Sequence, residues 1–133
     1  MRTFDVQGIE IRAARDRIFK FVSEPRNLPK WARAFKSADR ERARLETPTG
    51  TMDIGLRTEA NQAAGTVDWR LEFPDKSSAL AQSRVTETTR GTCIYSFVLH
   101  APPVPLEQVE GALDQQITAL RQELATLKSL MES

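Results

Sequence analysis

From Ala43 to Phe73 the apolar side chains keep one parity through two successive turns, and this constrains the fold more than any other feature. Ala43 and Leu45 lead into Pro48-Thr49-Gly50, after which Met52, Ile54 and Leu56 alternate. A two-residue loop at Pro48-Thr49 pairs Leu45 with Met52 and Ala43 with Ile54, so all of them share a face. The next turn, Asn61-Gln62-Ala63-Ala64-Gly65, leads into Val67, Trp69, Leu71 and Phe73. A loop centred on Gln62-Ala63 pairs Leu56 with Trp69 and Ile54 with Leu71, again on that face. Phe73-Pro74-Asp75-Lys76 is the following turn, with proline and aspartate in their usual roles. An antiparallel run with one apolar face has to bury that face against another element.

Further along, Leu80 to Thr88 and Thr92 to His100 flank Thr89-Arg90-Gly91. With Gly91 in the left-handed position of a three-residue loop, Val85 faces Tyr95 and Ser83 faces Phe97. Ala81, Ser83 and Val85 then point inward beside Cys93, Tyr95, Phe97 and Leu99. A two-residue turn would set Arg84 opposite Tyr95; the first register is preferred because it leaves Arg84 in solvent. Ahead of these hairpins, Thr3 to Arg12 alternates through Phe4 and Val6, then Ile9 and Ile11, with Gly8 at the change of phase. That pattern predicts a half-buried strand with a bulge. From Ala13 to Ser23 the period becomes helical, with Ala14, Ile18, Phe21 and Val22 on one side and Arg15, Asp16, Arg17 and Lys20 on the other. Pro25 ends that helix. Asn27 to Trp31 forms a short helical turn that brings Leu28 and Trp31 to the core.

The cover for the sheet is at the C-terminal end. Ala101-Pro102-Pro103-Val104-Pro105 is a stiff extended connector. Beyond it Leu106, Val109, Leu113, Ile117, Leu120, Leu124, Leu127 and Met131 recur at steps of three and four, and Pro105 suits the first helical position. A helix of about 26 residues at 1.5 Å per residue runs about 39 Å, enough to cross a small domain. The seam also resembles a heptad stripe, so a coiled-coil dimer is the alternative; packing on its own sheet is preferred, leaving a monomer or weak homodimer.

The rare residues narrow the chemistry. In 133 residues there are one Cys, one His, two Trp and one Tyr. A single Cys excludes an internal disulfide, and Cys93 with His100 supplies too few soft ligands for a structural zinc site. Any triad would have to use His100, which falls at a strand end. No Gly-rich phosphate loop, CxxC pair or HExxH helix is present, so no metal or cofactor is expected and no catalytic residue is assigned. Lys plus Arg total 19 against 18 for Asp plus Glu, a net charge of +1, which argues against nucleic acid as a partner. Nothing approaches the roughly 18 apolar residues of a membrane span, and the N-terminus lacks a signal-peptide core. A single domain over residues 1–133, with the cytoplasm as its address, is the expectation.

Several stretches then resemble a known family. Glu24-Pro25-Arg26-Asn27-Leu28-Pro29-Lys30-Trp31 after the first helix is similar to the acidic-Pro-x-Asn-x-Pro-x-Trp stretch of the START-like helix-grip superfamily (SRPBCC). Thr47-Pro48-Thr49-Gly50, Gly65-Thr66-Val67-Asp68-Trp69 and the closing Glu123-Leu124 to Glu132 segment resemble its bacterial polyketide cyclase/dehydrase and lipid-transport branch. The resemblance spans residues 3 to 132. It implies an α+β helix-grip fold, a curved antiparallel sheet wrapped around a long C-terminal helix, with two short helices after the first strand. It also implies a cavity between sheet and helix.

The resemblance leaves function open among lipid carriers, quinone-binding proteins, hormone receptors, aromatase/cyclases and co-chaperones. The expected lining is Trp31, Ile54, Leu56, Trp69, Leu71, Ser83, Tyr95, Phe97, Val109, Leu113 and Ile117. Trp69 stands where the resemblance implies a histidine after Asp68, which removes an acid/base and makes the interior more apolar. Tyr95 is either a satisfied core tyrosine or the polar handle for a ligand oxygen. Cys93 reads as a small buried hydrophobe. Glu41 has inward parity and sits over the mouth of the expected cavity. Three functions are weighed: a container for a polyketide, isoprenoid, quinone or lipid; a cofactor-independent cyclase/dehydratase in the same cavity; and a protein-interaction module using Arg40, Arg42 and Arg44.

Overall fold

The computed structural model describes residues 2–47, 50–101 and 109–133, without the side chains at 47, 109 and 110. Each alternating run forms a strand: β1 (Phe4–Ile11), β3 (Arg42–Thr47), β4 (Gly50–Asn61), β5 (Thr66–Glu72), β6 (Ser78–Glu87) and β7 (Cys93–His100). A further strand, β2 (Phe35–Ala38), was not expected. It has four residues, a register shift against β3 and only two apolar side chains, too little to carry an alternation. Helices α1 (Arg15–Ser23) and α2 (Leu28–Trp31) follow β1, with a 3-10 turn at Pro25–Asn27 between them; α3 (Val109–Glu132) closes the chain.

All seven strands form one antiparallel sheet in the order β1-β7-β6-β5-β4-β3-β2. With α1 and α2 after the first strand and α3 along the sheet, this is an α+β helix-grip architecture. The Pro48-Thr49 turn and the Pro102–Pro105 connector, with Pro105 and Leu106 as the expected helix start, lie outside the described residues. Among the described residues no helix is long and apolar enough to cross a membrane.

Two registers match expectation and two details do not. Leu45 pairs with Met52 and Ala43 with Ile54; Val85 pairs with Tyr95 and Ser83 with Phe97, with Gly91 at φ 79° in the loop. Between β4 and β5, however, Leu56 pairs with Leu71 and Thr58 with Trp69, two residues from the expected register. The cause is a longer loop. Gly65 N–H donates to Asn61 O at 2.8 Å and Ala64 N–H to the Asn61 side chain at 3.1 Å, closing four residues rather than two. Gly65 holds φ 76°, and a Cβ there would strike Val85 O, so its backbone position admits only glycine. An even shift preserves the inward face.

The second correction is β1. Its pairing with β7 runs unbroken from Phe4–His100 to Ile11–Cys93, with no bulge at Gly8. Phe4 and Val6 face solvent, 53% and 57% exposed, and Asp5 and Gln7 turn inward. Asp5 is paired with Arg2, and Gln7 donates at 2.9 Å to both the Asp5 carboxylate and Ile117 O of α3. In α1 the buried residues are Ile18, Phe19 and Val22, whereas Ala14 is the exposed N-cap.

The core joins the inner face of the sheet to α1, α2 and the second half of α3, through Leu120, Leu124, Leu127 and Met131. Burying each such side chain is worth roughly 1.5–3 kcal/mol. The end of α3 is tied down by polar contacts: Arg17 donates to Met131 O, Arg12 N–H to Glu132 at 2.8 Å, and Lys128 to Glu10 O at 2.7 Å. A cation against the last carbonyls of a helix also favours its dipole.

Candidate functional site

The inner face of β6 carries small groups at two successive inward positions, Ala81 opposite Trp69 of β5 and Ser83 opposite Phe97 of β7, before Val85 opposite Tyr95. Neighbouring strands are about 4.8 Å apart, so rings on β5 and β7 ordinarily stand about 9.6 Å from one another. Over the low floor of β6 they lean together, and Trp69 stacks on Phe97 at 6.1 Å and 24°. Trp31, delivered by α2, packs against Trp69 at 6.3 Å and edge-on to Tyr95 at 6.0 Å. Tyr95 meets Phe97 at 6.5 Å and closes a circuit of four rings. All four are buried. Aromatic pairs at these separations contribute about 0.5–1.5 kcal/mol each beyond area burial.

Packing is satisfied in this circuit but hydrogen bonding is not. The indole nitrogens of Trp31 and Trp69 and the hydroxyl of Thr58, which pairs with Trp69 across β4 and β5, are buried without a hydrogen-bond partner, and the Tyr95 hydroxyl has no more than the Ser83 side chain beside it. Each such orphan costs about 1–3 kcal/mol, and phenylalanine would fill a similar volume without that cost. The Ser83 hydroxyl donates to Val67 O at 2.6 Å, so its proton is already used by the sheet.

Burial pushes the Tyr95 hydroxyl far above its ordinary pKa; hydrogen bonding with the neighbouring Ser83 side chain opposes the shift, and the charges of Asp68 and Glu123 reinforce it. Tyr95 is therefore a proton donor that stays protonated. Glu123, on α3 in electrostatic reach of Tyr95, is raised by burial against the pull of the Arg33 amide, which donates to it at 2.6 Å, and of the Arg33 charge. Its position is legible in hindsight: three residues after Leu120 and four before Leu127, it shares the stripe that packs on the sheet.

Of the expected lining residues, Trp31, Trp69, Tyr95, Phe97 and Ser83 come together at this circuit. Ile54 and Leu56 are buried in the same core and Leu71 packs at its edge. Leu113 is buried outside that cluster, and Ile117 is half-buried with its carbonyl held by Gln7. The Val109 side chain lies outside what is described. One hollow, of about 510 Å³, lies over the outward-facing Gly55, Arg57, Arg70, Glu72 and Leu80 of β4, β5 and β6, with Glu41 and Lys76 beside them. The other, of about 820 Å³, lies between Glu10, Arg12, Arg90 and Lys128. No ring of the circuit lines either one.

Among the described residues, the other reactive groups stand apart from the circuit. Burial raises the Cys93 thiol, and its Sγ lies 3.4 Å from Ala13 O. His100 is exposed, 2.9 Å from the Gln82 side-chain oxygen. Among the described residues no three metal-binding side chains gather. Arg40, Arg42 and Arg44 are exposed, and Arg44 pairs with Asp53 at 3.0 Å.

No family model matches the sequence, and no curated protein matches it. Solved structures match over nearly the whole chain. The protein XoxI from Bacillus cereus is 16% identical, with a TM-score of 0.72 over 98% of this chain and 96% of its own. A START superfamily protein from Mycobacterium smegmatis is 13% identical, with a TM-score of 0.66 over 97% and 99%. The di-domain ARO/CYC protein BexL of the BE-7585A biosynthetic pathway is 21% identical, with a TM-score of 0.72 over 97% of this chain and 46% of its own. Sheet order, helix placement and these matches together give the chain the START-like helix-grip fold of the SRPBCC proteins.

Proposed function

We infer that the protein binds an apolar small molecule between the inner face of the sheet and α3, against the four-ring circuit. The observation that carries this is the set of orphaned polar atoms on Trp31, Trp69 and Thr58, beside the buried Tyr95 hydroxyl. A purely structural core gains nothing from them, whereas a ligand that brings its own polar atoms satisfies them. Flat rings supply stacking surface, and apolar burial supplies roughly 25 cal/mol per Å² of ligand surface removed from water. The fold shared with a START superfamily protein and an ARO/CYC protein supports a small-molecule reading. The available groups favour holding over turnover: the one imidazole, of His100, is exposed, burial favours the protonated form of the Cys93 thiol, and Tyr95 keeps its proton.

Both tryptophans of the chain belong to the circuit, so intrinsic fluorescence reports on this site alone. Native mass spectrometry of freshly purified protein should show an apolar molecule bound, and its return to stripped protein should change the tryptophan emission. A chain that carries nothing, and whose emission is indifferent to polyketide, quinone, isoprenoid and lipid probes, would contradict the reading.

A further inference from the structure

We propose that the outer face of β1 and β7 is the contact through which two copies of this chain pair, related by a two-fold axis at Val6. Among the described residues the exposed large apolar side chains are Phe4, Val6 and Ile94, and all three lie on this face. Val98, opposite Val6, is half-buried and extends the patch. On β4 and β5 the same face is charged, with Arg57 and Arg70 on Glu59. An apolar cluster confined to one edge of an otherwise charged face marks a docking surface. Strand addition along the β1 edge is not what it serves: the carbonyls of Phe4 and Glu10 there are taken by Arg2 at 2.9 Å and Lys128 at 2.7 Å.

Gly8 is the second observation. It sits in the middle of β1, where glycine weakens a strand, and it is not in the left-handed region. A Cβ there would meet Ile94 Cγ2 at 3.7 Å and Tyr95 O at 3.8 Å, ordinary contacts, so the chain's own fold does not require the missing side chain. A strand glycine of this kind marks a close approach from outside. The outward row reads Arg2, Phe4, Val6, Gly8, Glu10, and Val6 is its midpoint. Turned over on a two-fold axis lying across the strands, a second copy brings Val6 onto Val6, Phe4 onto Gly8 beside Ile94, and Arg2 onto Glu10. The bulkiest side chain of the row meets its bare position, and the cation meets the carboxylate. Arg2 also holds Asp5, and Glu10 accepts from the Thr92 hydroxyl at 2.5 Å, yet both remain exposed. A rim pair of this kind fixes register more than affinity.

Four outward residues on each of two strands make a small contact, against about 20–30 residues a side in a standard interface, so the pair is weak and concentration-dependent. Sedimentation velocity of the full chain from about 10 µM to about 1 mM should show monomer passing into dimer. Val6→Glu and Val6→Lys change an exposed side chain and should leave the circular dichroism spectrum as it is. Each sets like charges together on the axis and should raise the dissociation constant at least about tenfold. An equimolar mixture of the two should pair again, because glutamate then meets lysine. Gly8→Ala puts a methyl under Phe4 of the second copy and should weaken the pair about threefold. A chain that stays monomeric throughout would overturn the proposal. So would a dimer indifferent to Val6→Glu, variants that fail to pair on mixing, or an unchanged affinity in Gly8→Ala.

Discussion

The two faces of β4 and β5 treat polar groups in opposite ways. On the outer face Arg70 pairs with Glu59 at 2.5 Å, Arg57 with Glu59 at 3.5 Å and Arg44 with Asp53 at 3.0 Å. Water would have satisfied these groups in any case, and such pairs add little to stability. On the inner face, where an unmet polar atom is most costly, Trp69 and Thr58 have no partner. The same two strands thus partner their polar groups where it matters least and leave them open where it matters most. An interior built only for stability has no reason to do this; one that receives a polar ligand atom does.

Substitutions one residue apart test that contrast, and the largest effect belongs to the inner face. Trp69→Ala opens the circuit and should cost about 3–5 kcal/mol in urea unfolding. A small loss would mean that the four rings do not carry the core.

The inner hydroxyls of Tyr95 and Ser83 come next, and they should move stability in opposite directions. Tyr95→Phe removes a buried hydroxyl that has only the Ser83 side chain beside it and should stabilise the stripped protein by about 1 kcal/mol, while Ser83→Ala removes the bond to Val67 O and should cost about 1 kcal/mol. Losses in both variants would show that Tyr95 has a partner in solution.

Glu123 gives a smaller, pH-dependent signal. Its folded state binds a proton more tightly than the unfolded chain, so its contribution is full below the ordinary value of 4.5 and is lost as pH rises through the raised value. Measured across that window, wild type should lose stability relative to Glu123→Gln as pH increases. Parallel pH profiles would place Glu123 in solvent. The smallest effect is expected on the outer face, where Arg70→Ala should leave the unfolding midpoint unchanged; a clear loss there would erase the distinction between the faces.

Parity was the most legible part of this sequence because it survives errors of register. The β4–β5 loop is two residues longer than its spacing suggested, yet Trp69 and Leu71 still point inward. β1 misled because Phe4 and Val6 are apolar residues that the sheet leaves outside, while Asp5 and Gln7 are polar residues held inside by Arg2 and by Ile117 O. Hydrophobicity alone cannot anticipate polar groups that find partners from distant parts of the chain. Glu123 was passed over for the same reason, since its neighbours Arg33 and Tyr95 are remote in sequence. Tyr95 and Trp69 could be placed from parity and turn chemistry. That their polar atoms lack partners could not, because it depends on which groups three other elements bring near them.

The most direct test reads the orphaned donors themselves. With two tryptophans in the chain, a nitrogen–proton correlation spectrum of the folded protein contains two indole signals, those of Trp31 and Trp69. Adding 2-acetylnaphthalene should move both signals downfield as each N–H gains an acceptor. Indole signals that stay in place while the ketone binds would show that recognition bypasses these donors and would contradict the account.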